Sequence, residues 1–264
     1  MFQNTTKRLL REGRPVFGTM VAEVRSPGIA VMLAAAQFDF FIIDMEHSAL
    51  SLETVEDMCL AAKGTRITPI VRVPTRFGHH NLSRPLDCGA EGLLIPQVET
   101  KEEVEDIVQA TRYAPLGQRG MALCRAHNRF IRGNPEELTR CNNEETLLIL
   151  QIESKTAIEH LEELLSVPGI DAVLVGPNDL SQSLGVPGNT KHPVVQEYID
   201  LLLAKCQKAR IPAGIHLRSP EALRPWIEKG MKILVCSSDI DLIVDGGTRI
   251  VEELRRIVNA MQSR

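Results

Sequence analysis

The sequence lacks several things, and each absence removes a class of protein. It has no uninterrupted apolar run near the roughly 18 residues that a membrane-spanning helix requires, so no membrane partner is expected. It has no excess of positive charge: 30 Lys and Arg stand against 34 Asp and Glu, a formal net charge of −4. Phosphate backbones need a cationic surface, so nucleic acid is not expected as a partner. Its six cysteines (Cys59, Cys88, Cys124, Cys141, Cys206 and Cys236) include no Cys-x-x-Cys pair. That scatter suits reduced, mostly buried thiols and no disulfide framework. The opening stretch "MFQNTTKRLLREGRP" carries charges where a secretory leader needs an apolar segment, so a cytoplasmic protein is expected. No linker rich in Pro, Gly and Ser divides the chain, and residues 1–264 are read as one domain.

What remains is an ordinary globular composition, 44% hydrophobic and 24% charged over 264 residues. Short apolar runs alternate with amphipathic stretches. Eight runs read as strands: Val16–Ala22, Asp39–Asp44, Pro69–Val73, Gly92–Pro96, Leu147–Glu153, Ala172–Gly176, Pro212–His216 and Lys232–Cys236. Continuous runs such as "FFIID" and "LLILQI" suit parallel strands buried on both faces. Between Lys155 and Ser166 the apolar residues Ala157, Ile158, Leu161, Leu164 and Leu165 make one helical stripe. Ser26-Pro27 and Ser219-Pro220 resemble helix starts, a capping oxygen before a proline. Pro225 should kink or shorten its helix, and Gly246-Gly247 reads as the opening turn of the last one. The connection from about Arg112 to Thr146 is long and without a strand; a short helix is expected near Pro135–Cys141. Strand-helix units in this number favour an α/β fold, a closed (β/α)8 barrel.

In such a barrel the chemistry collects where the strands end. There the chain presents Asp44, Glu46 and His47, then Arg72, Gln151 and Glu153, Asn178 and Asp179, and His216. Glu153 and Asp179 lie one strand-helix unit apart. Two adjacent carboxylates repel unless a cation joins them, and Mg²⁺ or Mn²⁺ accepts such a pair with water and substrate oxygens completing its shell. The plainer alternative is that both acids cap helices. Arg72 ends an apolar strand and needs an anion, either one of these acids or a substrate carboxylate. Asp44 could orient His47 as a general base, or both could belong to an exposed loop. The Arg125, His127 and Arg129 stretch is locally cationic and reads as a closing loop over an anion or as a subunit contact.

These residues, carried on "FDFFIIDMEHS", "PIVRVP", "DCGAEGLLIPQVET", "ATRYAPLGQRG", "LLILQIES", "GIDAVLVGPNDLSQSLGVPGN" and "HPVVQ", resemble the HpcH/HpaI aldolase family from about Phe17 onward. The resemblance implies a TIM barrel of the phosphoenolpyruvate/pyruvate-binding type. It implies a class II aldolase of the 4-hydroxy-2-oxoheptanedioate or 2-keto-3-deoxy sugar acid kind, with a place in aromatic compound catabolism. Such an enzyme reversibly cleaves a 4-hydroxy-2-oxo acid to pyruvate and an aldehyde through a pyruvate enolate on Mg²⁺, Mn²⁺ or Co²⁺. It carries metal binding onto Glu153 and Asp179, pyruvate binding onto Arg72, Gln151, Gly176, Pro177 and Asn178, and proton transfer onto Asp44 and His47. It also implies a homo-oligomer, a hexamer built as a trimer of dimers, with the last helix packed on a neighbouring subunit. The chain departs from the family's pattern at Met121-Ala122 and along "GTMVAEVRSP", segments that would meet the aldehyde. Oxaloacetate decarboxylation and hydroxyacyl-CoA cleavage are the nearest alternatives on the same half-site. A non-catalytic 2-oxo acid binding barrel is the alternative from another class.

Overall fold

The computed structural model describes residues 3–262. Its strands are β1 (Val16–Val21), β2 (Phe40–Asp44), β3 (Thr68–Arg72), β4 (Gly92–Ile95), β5 (Leu147–Ile152), β6 (Ala172–Val175), β7 (Ala213–Leu217) and β8 (Ile233–Ser238). Each coincides with an apolar run read from the sequence, within one or two residues at either end. All pairings are parallel, in chain order, and β8 closes on β1. The chain is a (β/α)8 barrel.

The two-residue period of a strand divides the sheet into two faces. Phe41, Ile43, Val71, Leu148, Leu150 and Ile152 join the core between sheet and helices. Phe40, Ile42, Ile70, Leu147, Ile149 and Leu174 fill the barrel interior. The same period carries Asp44, Arg72 and Gln151 inward at the top of their strands, and Glu153 follows Gln151 on that face. Gly18 of β1 sits in register with Phe40 of β2, and a Cβ there would stand 2.3 Å from the Phe40 ring. The glycine is the room into which the ring packs.

The floor of the barrel is closed by a helix absent from the sequence expectations, Thr5–Arg11, capped by Asn4. Its Leu9 and Leu10 enter the interior cluster. The expected extra helix in the long connection is Pro135–Glu145, with a 3-10 turn at Ala126–Asn128. Two expectations need correction. Gly246-Gly247 does not open the last helix, which runs from Asp239 to Gln262 through both glycines. Each glycine costs about 1 kcal/mol against alanine; the helical spacing of the flanking Ile243, Ile250 and Leu254 continues across them. The helix Pro220–Glu228 also continues past Pro225, with Leu223 and Trp226 buried on its inner side. Among the described residues, no helix is long and apolar enough to cross a membrane.

Candidate active site

The polar layer on top of the barrel interior begins with one ion pair. Arg72 ends β3 beside Asp44 of β2, in register. Its Nε donates to Asp44 Oδ1 at 2.9 Å and its Nη2 to Asp44 Oδ2 at 2.7 Å, a bidentate fork. Nη1 stands 3.2 Å from Glu46 Oε2. Burial alone would raise Asp44, but the Arg72 bonds and charge outweigh it and hold the carboxyl below the ordinary range. Burial alone would lower Arg72, and Asp44 and Glu46 raise it instead. The partner left open by the sequence is therefore acidic, and the guanidinium nonetheless still lines the cleft above.

Glu153 is also buried, and both of its oxygens are occupied. Oε1 accepts from the Gln97 backbone N–H at 2.7 Å, and Oε2 accepts from Gln151 Nε2. Gln97 holds that N–H from a left-handed backbone, φ 57°. Burial pushes Glu153 up to about 7, and the charges of Asp179 and Glu46 push in the same direction. Gly176 completes the cradle: a Cβ on it would stand 2.5 Å from Glu153 Oε2. Asp179 is exposed on the first turn of the helix Pro177–Ser183. A cleft of about 80 Å³ brings together Arg72, Gln151, Gly176, Pro177, Asn178 and Asp179, with Met20 and His216 on its walls.

The donor chemistry fits one divalent cation. Two neighbouring acids, one with its charge suppressed by burial and by the other, are the pair that a hard cation relieves. Among the described residues no three Asp, Glu, His or Cys side chains form a fuller metal cage. Mg²⁺ does not need one, because it keeps waters and takes substrate oxygens alongside one or two carboxylates.

His47 is placed differently from the orientation considered in the sequence. Asp44 Oδ1 accepts from the backbone N–H groups of Glu46 and His47, at 3.0 and 3.3 Å, and its oxygens serve Arg72 rather than the imidazole. The His47 side chain is 64% exposed, with Nε2 3.7 Å from Glu46 Oε2. Asp44 thus shapes the turn that carries His47. The strand-end reading named Glu46 without a role; its buried Oε2 makes no hydrogen bond among the described residues. Nor did it mark Gln97 or Met20; the Met20 sulfur lies 3.6 Å from Arg72 Nη2. Nothing in the local pattern distinguishes these three from packing or loop residues. The arginines beside His127 stay outside the cleft, while His127 itself is buried beneath the barrel near Asp87 and Tyr113.

This geometry has close counterparts. The model of the HpcH/HpaI aldolase/citrate lyase family matches residues 20–245. The chain belongs to that family. It is 32% identical to the hydroxypyruvate/pyruvate aldolase of Roseobacter denitrificans, over 96% of this chain and 98% of that protein. It is 31% identical to the 5-keto-4-deoxy-D-glucarate aldolase of Escherichia fergusonii, over 97% and 98%. The crystal structure of an HpcH/HpaI aldolase from Desulfitobacterium hafniense superposes with a TM-score of 0.90 at 31% identity, covering 94% of this chain and 96% of that one. The family assignment made from the motifs thus agrees with full-length relatives.

Proposed function

We propose that the chain is a divalent-metal-dependent class II aldolase that reversibly cleaves a 4-hydroxy-2-oxo acid to pyruvate and an aldehyde. That it is a carbon–carbon lyase of aldolase type rests on family membership and on the aldolases it matches end to end. The observation that carries the finer reading is the charge cluster at the cleft: Arg72 and Asp179 line it, and the buried Glu153 lies within electrostatic reach of both. Glu153 and Asp179 would hold Mg²⁺, Mn²⁺ or Co²⁺, which when bound supplies Lewis-acid stabilisation of charge developing on the 2-oxo oxygen.

The chain's own groups do the rest. Arg72, fixed by the Asp44 fork, presents positive charge to the oxygen that becomes enolate-like as the bond between C3 and C4 breaks. Because Asp44 holds it beforehand, little reorganisation is required at the transition state. Gln151 keeps Glu153 oriented and borders the oxo-acid pocket. In the turn at Gly176–Asn178, Gly176 N–H is bonded to the Ile152 carbonyl and Pro177 has none, so the Asn178 backbone N–H, which the short helix itself leaves unpaired, is the donor offered to the substrate carboxylate. His47, exposed at the rim beside Glu46, takes the proton of the 4-hydroxyl during cleavage and returns it in the addition direction.

A second copy of the chain would cover the last helix, where Ile243, Ile250, Leu254, Ile257 and Met261 all lie exposed. An apolar stripe of that length on a solvated helix marks an association surface, and light scattering expected at a multiple of 29.3 kDa checks it.

The defining experiment follows pyruvate release from a panel of 4-hydroxy-2-oxo acids by chelator-stripped protein, with and without added metal. Release restored by metal is the expected result. Release from oxaloacetate alone, with no 4-hydroxy-2-oxo acid turned over, would reject the aldol reading.

A further inference from the structure

We propose that His216 is a specificity residue that reads a hydroxyl group adjacent to a carbonyl on one of the two aldol partners. The proposal rests on the aldolase reading above and extends it to substrate choice.

His216, the next-to-last residue of β7, lies on the wall of the cleft. Its Nε2 lies 2.9 Å from the Ser237 carbonyl. A carbonyl only accepts, so Nε2 carries the proton. Burial, reinforced by the Arg72 charge, lowers His216 despite the Ser237 hydrogen bond and so favours the neutral ring. A neutral imidazole with its proton on Nε2 leaves Nδ1 as a bare lone pair. Among the described residues nothing donates to it.

The backbone of β8 is shaped to produce this. Between its pairings with Gly18 and Met20 of β1, β8 advances from Val235 to Ser238, one residue more than β1 does. The extra residue makes a bulge, a device that re-aims backbone groups near sites. Ser237 lies in the bulge with φ 65°. A non-glycine residue is strained there, and such strain persists where the surroundings impose it. Its product here is a carbonyl turned onto His216, which selects one tautomer of that ring.

Met20 and Leu174 also line the cleft and offer a hydroxyl nothing. His216 Nδ1 is thus an unpartnered acceptor in the cleft, within reach of the Arg72 charge that engages the oxo-acid core. An unhydroxylated substrate leaves it unpaired, and a substrate with a hydroxyl next to its carbonyl satisfies it. Two substrate classes carry that group: a 3-hydroxy-2-oxo acid as the nucleophilic partner, and a 2-hydroxyaldehyde as the electrophile.

The test is aldol addition by the metal-loaded full chain, with pyruvate or hydroxypyruvate paired with acetaldehyde or glycolaldehyde. It compares the wild type with His216→Leu and His216→Gln. In His216→Leu the kcat/KM ratio of hydroxylated to unhydroxylated partner should fall by about 10-fold to 100-fold, the range for losing one hydrogen bond in a closed site. His216→Gln, which keeps an acceptor oxygen, should recover part of it. A fall confined to hydroxypyruvate assigns the contact to the oxo acid, and one confined to glycolaldehyde assigns it to the aldehyde. Equal losses on all four pairs, or none on any, would overturn the proposal. Should the wild type form no product at all, the aldolase reading fails instead. Calorimetric binding then still decides: the proposal is overturned if His216→Leu binds neither hydroxypyruvate nor glycolaldehyde, each relative to its unhydroxylated partner, more weakly than the wild type does.

Discussion

The two ends of the barrel bury the same kinds of charge and treat them in opposite ways. Beneath the strands, Lys7 Nζ lies 2.7 Å from Asp171 Oδ1, and Arg112 Nη2 lies 3.0 Å from Asp171 Oδ2. Lys63 meets Glu91 at 2.7 Å, and Arg119 meets Asp87 at 2.6 Å. Every acid in that set has a cation from the chain. Above the strands, Asp44, Glu46, Glu153 and Asp179 gather near Arg72, and Asp44 takes its bidentate fork. A buried charge is tolerated only when paired. The floor is therefore complete as folded, and the mouth, on the proposed reading, is complete only with a cation added. Position on a strand, not residue type, separates a structural acid from a working one.

The largest expected effect lies in the mouth. Glu153→Ala and Asp179→Ala should each cut metal-dependent turnover by at least about 10³-fold, because the site loses half of its protein ligands. Arg72→Ala should cost about 10² to 10³ in kcat, the usual loss for one preorganised charge-stabilising donor. Steady-state kinetics beside a thermal melt checks all three. Normal turnover in either acid variant would sink the metal assignment. A change in Arg72→Ala confined to metal affinity would reduce that residue to an ion-pair partner.

Much of this division was legible in the sequence. The apolar runs announced the strands, and their ends placed Asp44, Arg72, Gln151 and Glu153 at the barrel mouth. What was hidden depends on contacts between distant segments. Lys7 sits in a charged N-terminal stretch for which no helix was expected; only the folded barrel places it against Asp171, more than 160 residues later. The Asp44–His47 spacing suggested an oriented imidazole, but the in-register partner across the strand pair, Arg72, claims the carboxylate first. Gln97 contributes through a backbone N–H that any residue type could supply. The bulge at Ser237 has no local signature, since serine is unremarkable at a strand end. Side-chain pattern reports faces well, and it reports backbone-borne and cross-strand roles poorly.

A smaller effect is expected beneath the strands, and of a different kind. Lys7→Met removes one cation from Asp171 and the donor that reaches the Thr146 carbonyl at 2.7 Å. Breaking a buried pair from one side costs about 3 kcal/mol, which in a domain of this size lowers Tm by about 5–10 °C. Turnover per folded molecule should stay near wild type. A large kcat loss at unchanged Tm would contradict the separation of the two ends.

The gentlest test uses pH alone. Glu153 titrates at about 7 in the folded chain, raised from 4.5, so between those values the metal-free native state holds a proton that the unfolded chain has released. Stability from this group is fully present below the lower value and is lost as pH rises through the upper one. Metal demands the deprotonated carboxylate, so its binding must run the opposite way. Apparent Mn²⁺ affinity should rise about tenfold per pH unit below about 7 and level off above it, since one proton is displaced per ion. The thermal midpoint of chelator-treated protein should decline over the same interval, and the two curves should cross-compensate when metal is saturating. Calorimetric titrations on both sides of neutrality separate this from a site on exposed acids alone, for which affinity would already be flat by about pH 5.5 because ordinary carboxylates are ionised there. A flat affinity profile would mean that Glu153 is not where the cation binds. The mouth would then be no more incomplete than the floor.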